Sequence, residues 1–92
     1  MAAIAIGDCT VTKIAAMAGM NFWSIVTPAT ADDGDTVDVS TVIQTVYGCN
    51  VLGATDGLIP ATSVSAAGVV TIPGATDNEA RTIYIWGQDE AT

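Results

Sequence analysis

Residues 36–53, "TVDVSTVIQTVYGCNVLG", alternate apolar and polar side chains for most of their length. A period of two is the pattern of a strand with one buried and one wet face. The same constraint recurs along the chain. "AIAIGD" and "CTVTKIA" alternate around Gly7-Asp8, "NFWSIVT" carries aromatic and β-branched residues, and "ATSVSA", "GVVTI" and "RTIYIWG" follow. Asp56-Gly57, Ala67-Gly68 and "PGATDNEA" divide these runs, and "SVSAAGVVTI" reads as a hairpin turning at Ala67-Gly68 between Val64 and Val69. Short strands separated by Gly, Pro and Asp every ~8–12 residues predict an all-β fold, either a small antiparallel β-sandwich or a partly open β-barrel. Only "TKIAAMAGM" offers helical periodicity, and Gly19 argues instead for a loop or a strand with a small-residue packing face. The loops "TPATADDGD" and "IPGATDNEA" look alike because two hairpin connections meet the same turn demands, not because the chain repeats.

Ninety-two residues make one domain, residues 1–92, with residues 1–20 available as an N-terminal arm. A chain of this size buries only about 60–65% of its unfolded surface. Half of the residues are nevertheless hydrophobic, and the mean hydropathy is +0.48. So small an interior leaves apolar surface for a partner. Ten acidic residues stand against Lys13 and Arg81, a net charge of −8. Two isolated cations cannot neutralise a row of phosphates, which excludes nucleic acid as a direct partner and disfavours anionic membranes.

The first twenty residues are rich in small apolar side chains, but Asp8 interrupts them early and Lys13 is their only cation. This is not the pattern of an export signal, and no apolar run approaches the ~20 residues of a membrane span. The expectation is assembly in a cytoplasm, with Cys9 and Cys49 reduced and acting as small hydrophobes. Neither cysteine belongs to a CxxC pair, and histidine is absent.

The stretch "TPATADDGDTVDVS", residues 27–40, concentrates Asp32, Asp33, Asp35 and Asp38. A calcium loop of the EF-hand type needs alternate acids before its glycine and a closing Glu, and neither is present. Asp33-Gly34 is a turn signal, with Asp32 and Asp35 expected in solvent. Beyond the turn, Val37 and Val39 point inward and Thr36, Asp38 and Ser40 outward. No metal, no cofactor and no catalytic group is expected. General acid–base and nucleophilic catalysis need partnered residues that a chain without His, a phosphate-binding loop or a zinc cluster does not offer.

Adjacent Phe22 and Trp23 must point to opposite faces of a strand, so one of them leaves the core. Tyr84 and Trp86 share one face of "RTIYIWG", with Ile83 and Ile85 on the other. Both faces of that strand are therefore apolar, which fits either a partly covered central strand or a subunit interface, where aromatics are enriched. Phe22, Trp23, Tyr84 and Trp86 are the interface candidates.

The run "VTPATADDGDTVDVSTVI", with "VYGCNVLGATDG", "GVVTI" and the closing "RTIYIWGQ", resembles small structural proteins encoded among the head genes of tailed bacteriophages and related viruses. The likeness spans roughly residues 25 to 87. It implies a capsid decoration or cement role on the virion surface, with copies bound to the major capsid protein around symmetric positions of the shell. Together with the missing catalytic motifs and the apolar excess, the expectation is a non-enzymatic protein that also binds copies of itself, as a homotrimer. Two other classes fit the composition. One is a carbohydrate-binding or adhesive β-module, with Trp23 or Trp86 stacked on a sugar ring. The other is a tail-tube or extracellular filament subunit adding strands at its edges.

Overall fold

The alternating runs become strands in the computed structural model, which describes residues 3–17, 20–60, 68–74 and 76–89. They are β1 (Ala3–Ile4), β2 (Thr10–Met17), β3 (Met20–Val26), β4 (Thr36–Asp38), β5 (Ile43–Gly53), β6 (Gly57–Pro60), β7 (Val69–Thr71) and β8 (Arg81–Asp89). Two sheets result, one of five strands in the order β2-β3-β8-β5-β6 and one of three in the order β1-β4-β7. They pack as a small sandwich and do not close into a barrel. Every pairing is antiparallel except that of β1 with β4.

Residues 3–17 are built into the sheets. β1 joins the small sheet and β2 the large one, joined through a 3₁₀ turn at Ile6–Asp8 where the sequence places Gly7-Asp8. "TKIAAMAGM" is accordingly strand as far as Met17. The expected strand at 61–66, and all but the last residues of the hairpin through Ala67-Gly68, lie outside the described residues.

The long alternation of 36–53 is two strands, not one. Val39 O accepts the N–H groups of both Val42 and Ile43 at 2.9 Å, and Asp38 Oδ1 accepts the Ser40 N–H at 2.9 Å. This turn carries the chain from the small sheet to the large one. Val37, Val39 and Ile43 all stay buried across it, so an apolar period of two survives a change of sheet. Irregularities in the β5–β8 register between Ile43 and Thr45, and again between Val46 and Gly48, then each shift the parity. Tyr47 is thereby left exposed, while Cys49 and Val51 return inward.

The core lies between the sheets. Trp23 and Ile25 of β3, Ile83 and Ile85 of β8, and Cys49 and Val51 of β5 join Val37, Val39 and Val70 of the small sheet's layer in one cluster. Burying each aliphatic side chain there contributes about 1.5–3 kcal/mol. Val11, aligned with buried Ile25, remains exposed on β2.

Candidate functional site

Two surfaces stand out, both at positions set by strand register. The first is the outer face of the large sheet. Parity puts Phe22, Ser24 and Val26 of β3 on it, beside Thr82, Tyr84 and Trp86 of β8, Gly48, Asn50 and Leu52 of β5, and Leu58 of β6. None of these side chains is charged. Val26, Leu52, Leu58 and Tyr84 are among the exposed large hydrophobics.

Trp86 sits across from Phe22 on one side and Gly48 on the other. The Phe22 and Trp86 rings lie 6.2 Å apart with planes tilted by 32°. The indole lies over Gly48 so closely that a Cβ there would overlap its ring carbons. Glycine thus creates the slot that lays the tryptophan flat on the sheet.

Of the four interface candidates, Phe22, Tyr84 and Trp86 come together on this face. Trp23 does not: it is 4% exposed and belongs to the core. Its register partner Lys13 places Nζ 5.6 Å from the ring centroid, so its exposed flank is held by a cation and is not open to a partner. Trp23 is therefore the inward member of the Phe22–Trp23 pair. Leu52 and Leu58, which face each other directly on β5 and β6, escaped sequence reasoning because their face depends on pairings that no single strand reveals.

The second surface is the acidic end of the sandwich, where the chain leaves β3 and β5 and enters β8. Its two similar-looking loops lie side by side. Asp32 Oδ1 accepts the Asn78 N–H at 2.8 Å, Asp77 Oδ1 accepts the Asp33 N–H at 3.2 Å, and Ala31 O accepts the Glu79 N–H at 3.1 Å. The 54–56 turn is tied in as well. Glu79 accepts from the Thr55 N–H at 3.0 Å and hydroxyl at 2.6 Å, while Asp56 accepts from the Thr76 N–H at 3.2 Å and hydroxyl at 2.8 Å. Hydrogen bonding from Thr55, side chain first and backbone second, holds the Glu79 carboxyl below its ordinary value.

Arg81 organises this end from inside, at 1% exposure. Its guanidinium donates to Glu79 O at 2.5 Å and to Thr76 O, and stands 3.8 Å from Asp56 Oδ2. Across the ladder is Gly53, where a Cβ would come within 3.1 Å of Glu79 Oε1 and 3.2 Å of Arg81 Cδ and Nε. A buried arginine was not legible as such. The available signals were a lone Arg at a strand start and a glycine opposite it.

The stretch 27–40 is thus a turn into a strand, with Gly34 at φ 86°, but Asp35 is not solvated. It is 4% exposed, and its Oδ2 accepts the Asp32 N–H at 2.9 Å. The reason is that the small sheet's ladder runs on past β4: Gly34 donates to Ile72 O at 3.0 Å and Ile72 to Asp35 O at 2.8 Å, which draws Asp35 inward. Asp32 is half-buried by the same loop contact.

Among the described residues, no group of three or more Asp, Glu, Cys or His is placed to hold a metal ion. Both cysteines are free thiols. Burial pushes Cys49 up to about 12, and burial followed by the nearby Asp8 charge raises Cys9, whose Sγ donates to Ala5 O at 3.6 Å. Neither is a thiolate nucleophile at neutral pH. Compared with family models, curated proteins and solved structures, the chain matches none.

Proposed function

We propose that this chain is a non-enzymatic virion structural protein, a capsid decoration or cement protein. It seats the outer face of its large sheet on apolar surface of the shell and of its own copies. The observation that carries the reading is that a chain of net charge −8 keeps one sheet face free of charge and lines it with Phe22, Tyr84, Trp86, Leu52 and Leu58. An uncharged aromatic patch rimmed by polar groups is what contact surfaces are made of.

Size bears on the oligomer. With strands ~4.8 Å apart and ~3.3 Å per residue, four strands over six residues project about 400 Å². That is about half of one side of a standard interface. A single footprint is weak, so a trimer, setting three on the shell together, gains by effective concentration what one face lacks.

The edges favour face over edge contacts. β6 (Gly57–Pro60) includes Pro60, which has no N–H to donate, while β2 carries Lys13 and an irregularity between Lys13 and Ala15. These are devices that discourage strand addition, which weakens the filament reading.

The test uses shells lacking this protein. Trp86→Ala and Phe22→Ala, each checked for folding by circular dichroism, are expected to bind more than tenfold more weakly than the wild type, a loss of about 2 kcal/mol or more for Trp86. Wild-type binding by both folded variants would refute the contact face. A wild-type protein that ignores shells but captures a glycan would replace the reading with an adhesive module.

A further inference from the structure

The four hydrogen bonds that tie Thr55 and Asp56 to Thr76 and Glu79 all end on carboxylate oxygens. On its other side the same segment is held to the 27–35 loop through the carboxylates of Asp32 and Asp77 and, at its far end, through the Glu79 N–H on Ala31 O, a backbone bond that acid leaves in place. We propose that this end of the sandwich is an acid-opened clasp, in which protonation of Glu79 and Asp56 releases residues 76–78 while the two sheets remain paired.

Arg81 makes the opening cooperative. Its guanidinium is buried, its nearest described carboxylate is Asp56, and of its two carbonyl acceptors, Glu79 O and Thr76 O, the second belongs to the segment that would move. With the carboxylates neutralised, the closed clasp would hold a cation out of water with only carbonyls around it. Lifting the segment hydrates it. Among the described residues, the charges acting on Glu79 are Arg81 and Asp56, Arg81 stands beside Asp56, and Asp77, Asp32 and Asp35 take part in the loop contacts on the other side of the segment.

Glu79 gives the direction. Its carboxyl is held below its ordinary value of 4.5, chiefly by the Thr55 hydroxyl. The closed state is therefore fully favoured above that value and loses this contribution as pH falls through the lower, folded one. Gly74, at φ 115° and with Asp56 Oδ2 only 2.5 Å from where a Cβ would stand, lets the chain close tightly over the carboxylate.

Amide hydrogen exchange on the full chain between pH 7 and pH 3, expressed as protection factors corrected for intrinsic rates, tests the clasp. The Thr55, Thr76 and Asn78 amides should lose at least tenfold in protection by the acid end of the series, while amides of the β5–β8 ladder change less than twofold. Glu79→Gln should lower Thr55 protection already at pH 7 and flatten its acid response. Loop amides that stay protected throughout, or that lose protection only together with the β5–β8 ladder, would overturn the proposal.

Discussion

At the residue scale, glycine does what the aromatic residues cannot do alone. Trp86 has room to lie on the outer face only because Gly48 offers no side chain across the ladder. Alanine at 48 would have to displace the indole, and overpacking of this kind typically costs about 1–3 kcal/mol. Gly48→Ala should therefore lower the melting temperature by several degrees, at roughly 4–8 °C per kcal/mol for a domain of this size. Tryptophan fluorescence should report a changed indole environment. Gly7 provides the contrast, since nothing stands within 4 Å of its would-be Cβ. Gly7→Ala should alter stability by less than about 0.5 kcal/mol. Equal effects at the two positions would mean that Trp86 is not seated over Gly48.

At the element scale, strand parity was readable in β3 and β8 because both run without irregularity along their shared ladder. The buried Ile83 and Ile85 and the outward Tyr84 and Trp86 follow from alternation alone. β4 and β5 were legible as strand but not as two strands, because an inward apolar residue on each side of the 39–42 turn preserves the period across a change of sheet. The acidic end was legible as turns and not as an assembly. The partners of Asp32, Asp56 and Glu79 lie 46, 20 and 24 residues away in sequence, and no local pattern encodes such pairings. β5 also carries a chemical reporter of its own opening. With Cys49 near 12, only about one thiol in ten thousand is thiolate at pH 8, against roughly a quarter for a free cysteine. Alkylation of Cys49 in the native protein should run about a thousandfold slower than in a short peptide, and accelerate along the urea unfolding curve. Half-buried Cys9 should react sooner. Rapid labelling of Cys49 in the folded state, followed by intact mass, would show that β5 leaves β8 without global unfolding.

At the scale of the whole molecule, charge and apolar surface are kept apart. Asp32, Asp33, Asp35, Asp56, Asp77 and Glu79 gather with Arg81 at one end, which accounts for −5 of the chain's −8. The outer face of the large sheet carries none of it. Association of copies through such a face is opposed by long-range repulsion and not helped by ion pairs. The molecule is 21 Å across its thinnest dimension, so two stacked chains have centres about 20 Å apart. Charges of −8 at that distance repel by about 13 kcal/mol in unscreened water, about 1 kcal/mol at 0.15 M salt, and close to nothing at 1 M. Raising the salt from 0.15 to 1 M should thus tighten self-association about fivefold, and lowering it to 0.02 M should suppress it strongly. Sedimentation equilibrium across that series measures the effect directly. Trp86→Ala should weaken association at every salt concentration while leaving the slope unchanged, because it removes apolar contact and no charge. Association that weakens as salt rises would point instead to contacts made by the acidic end or by Lys13, and would remove the outer face from the assembly.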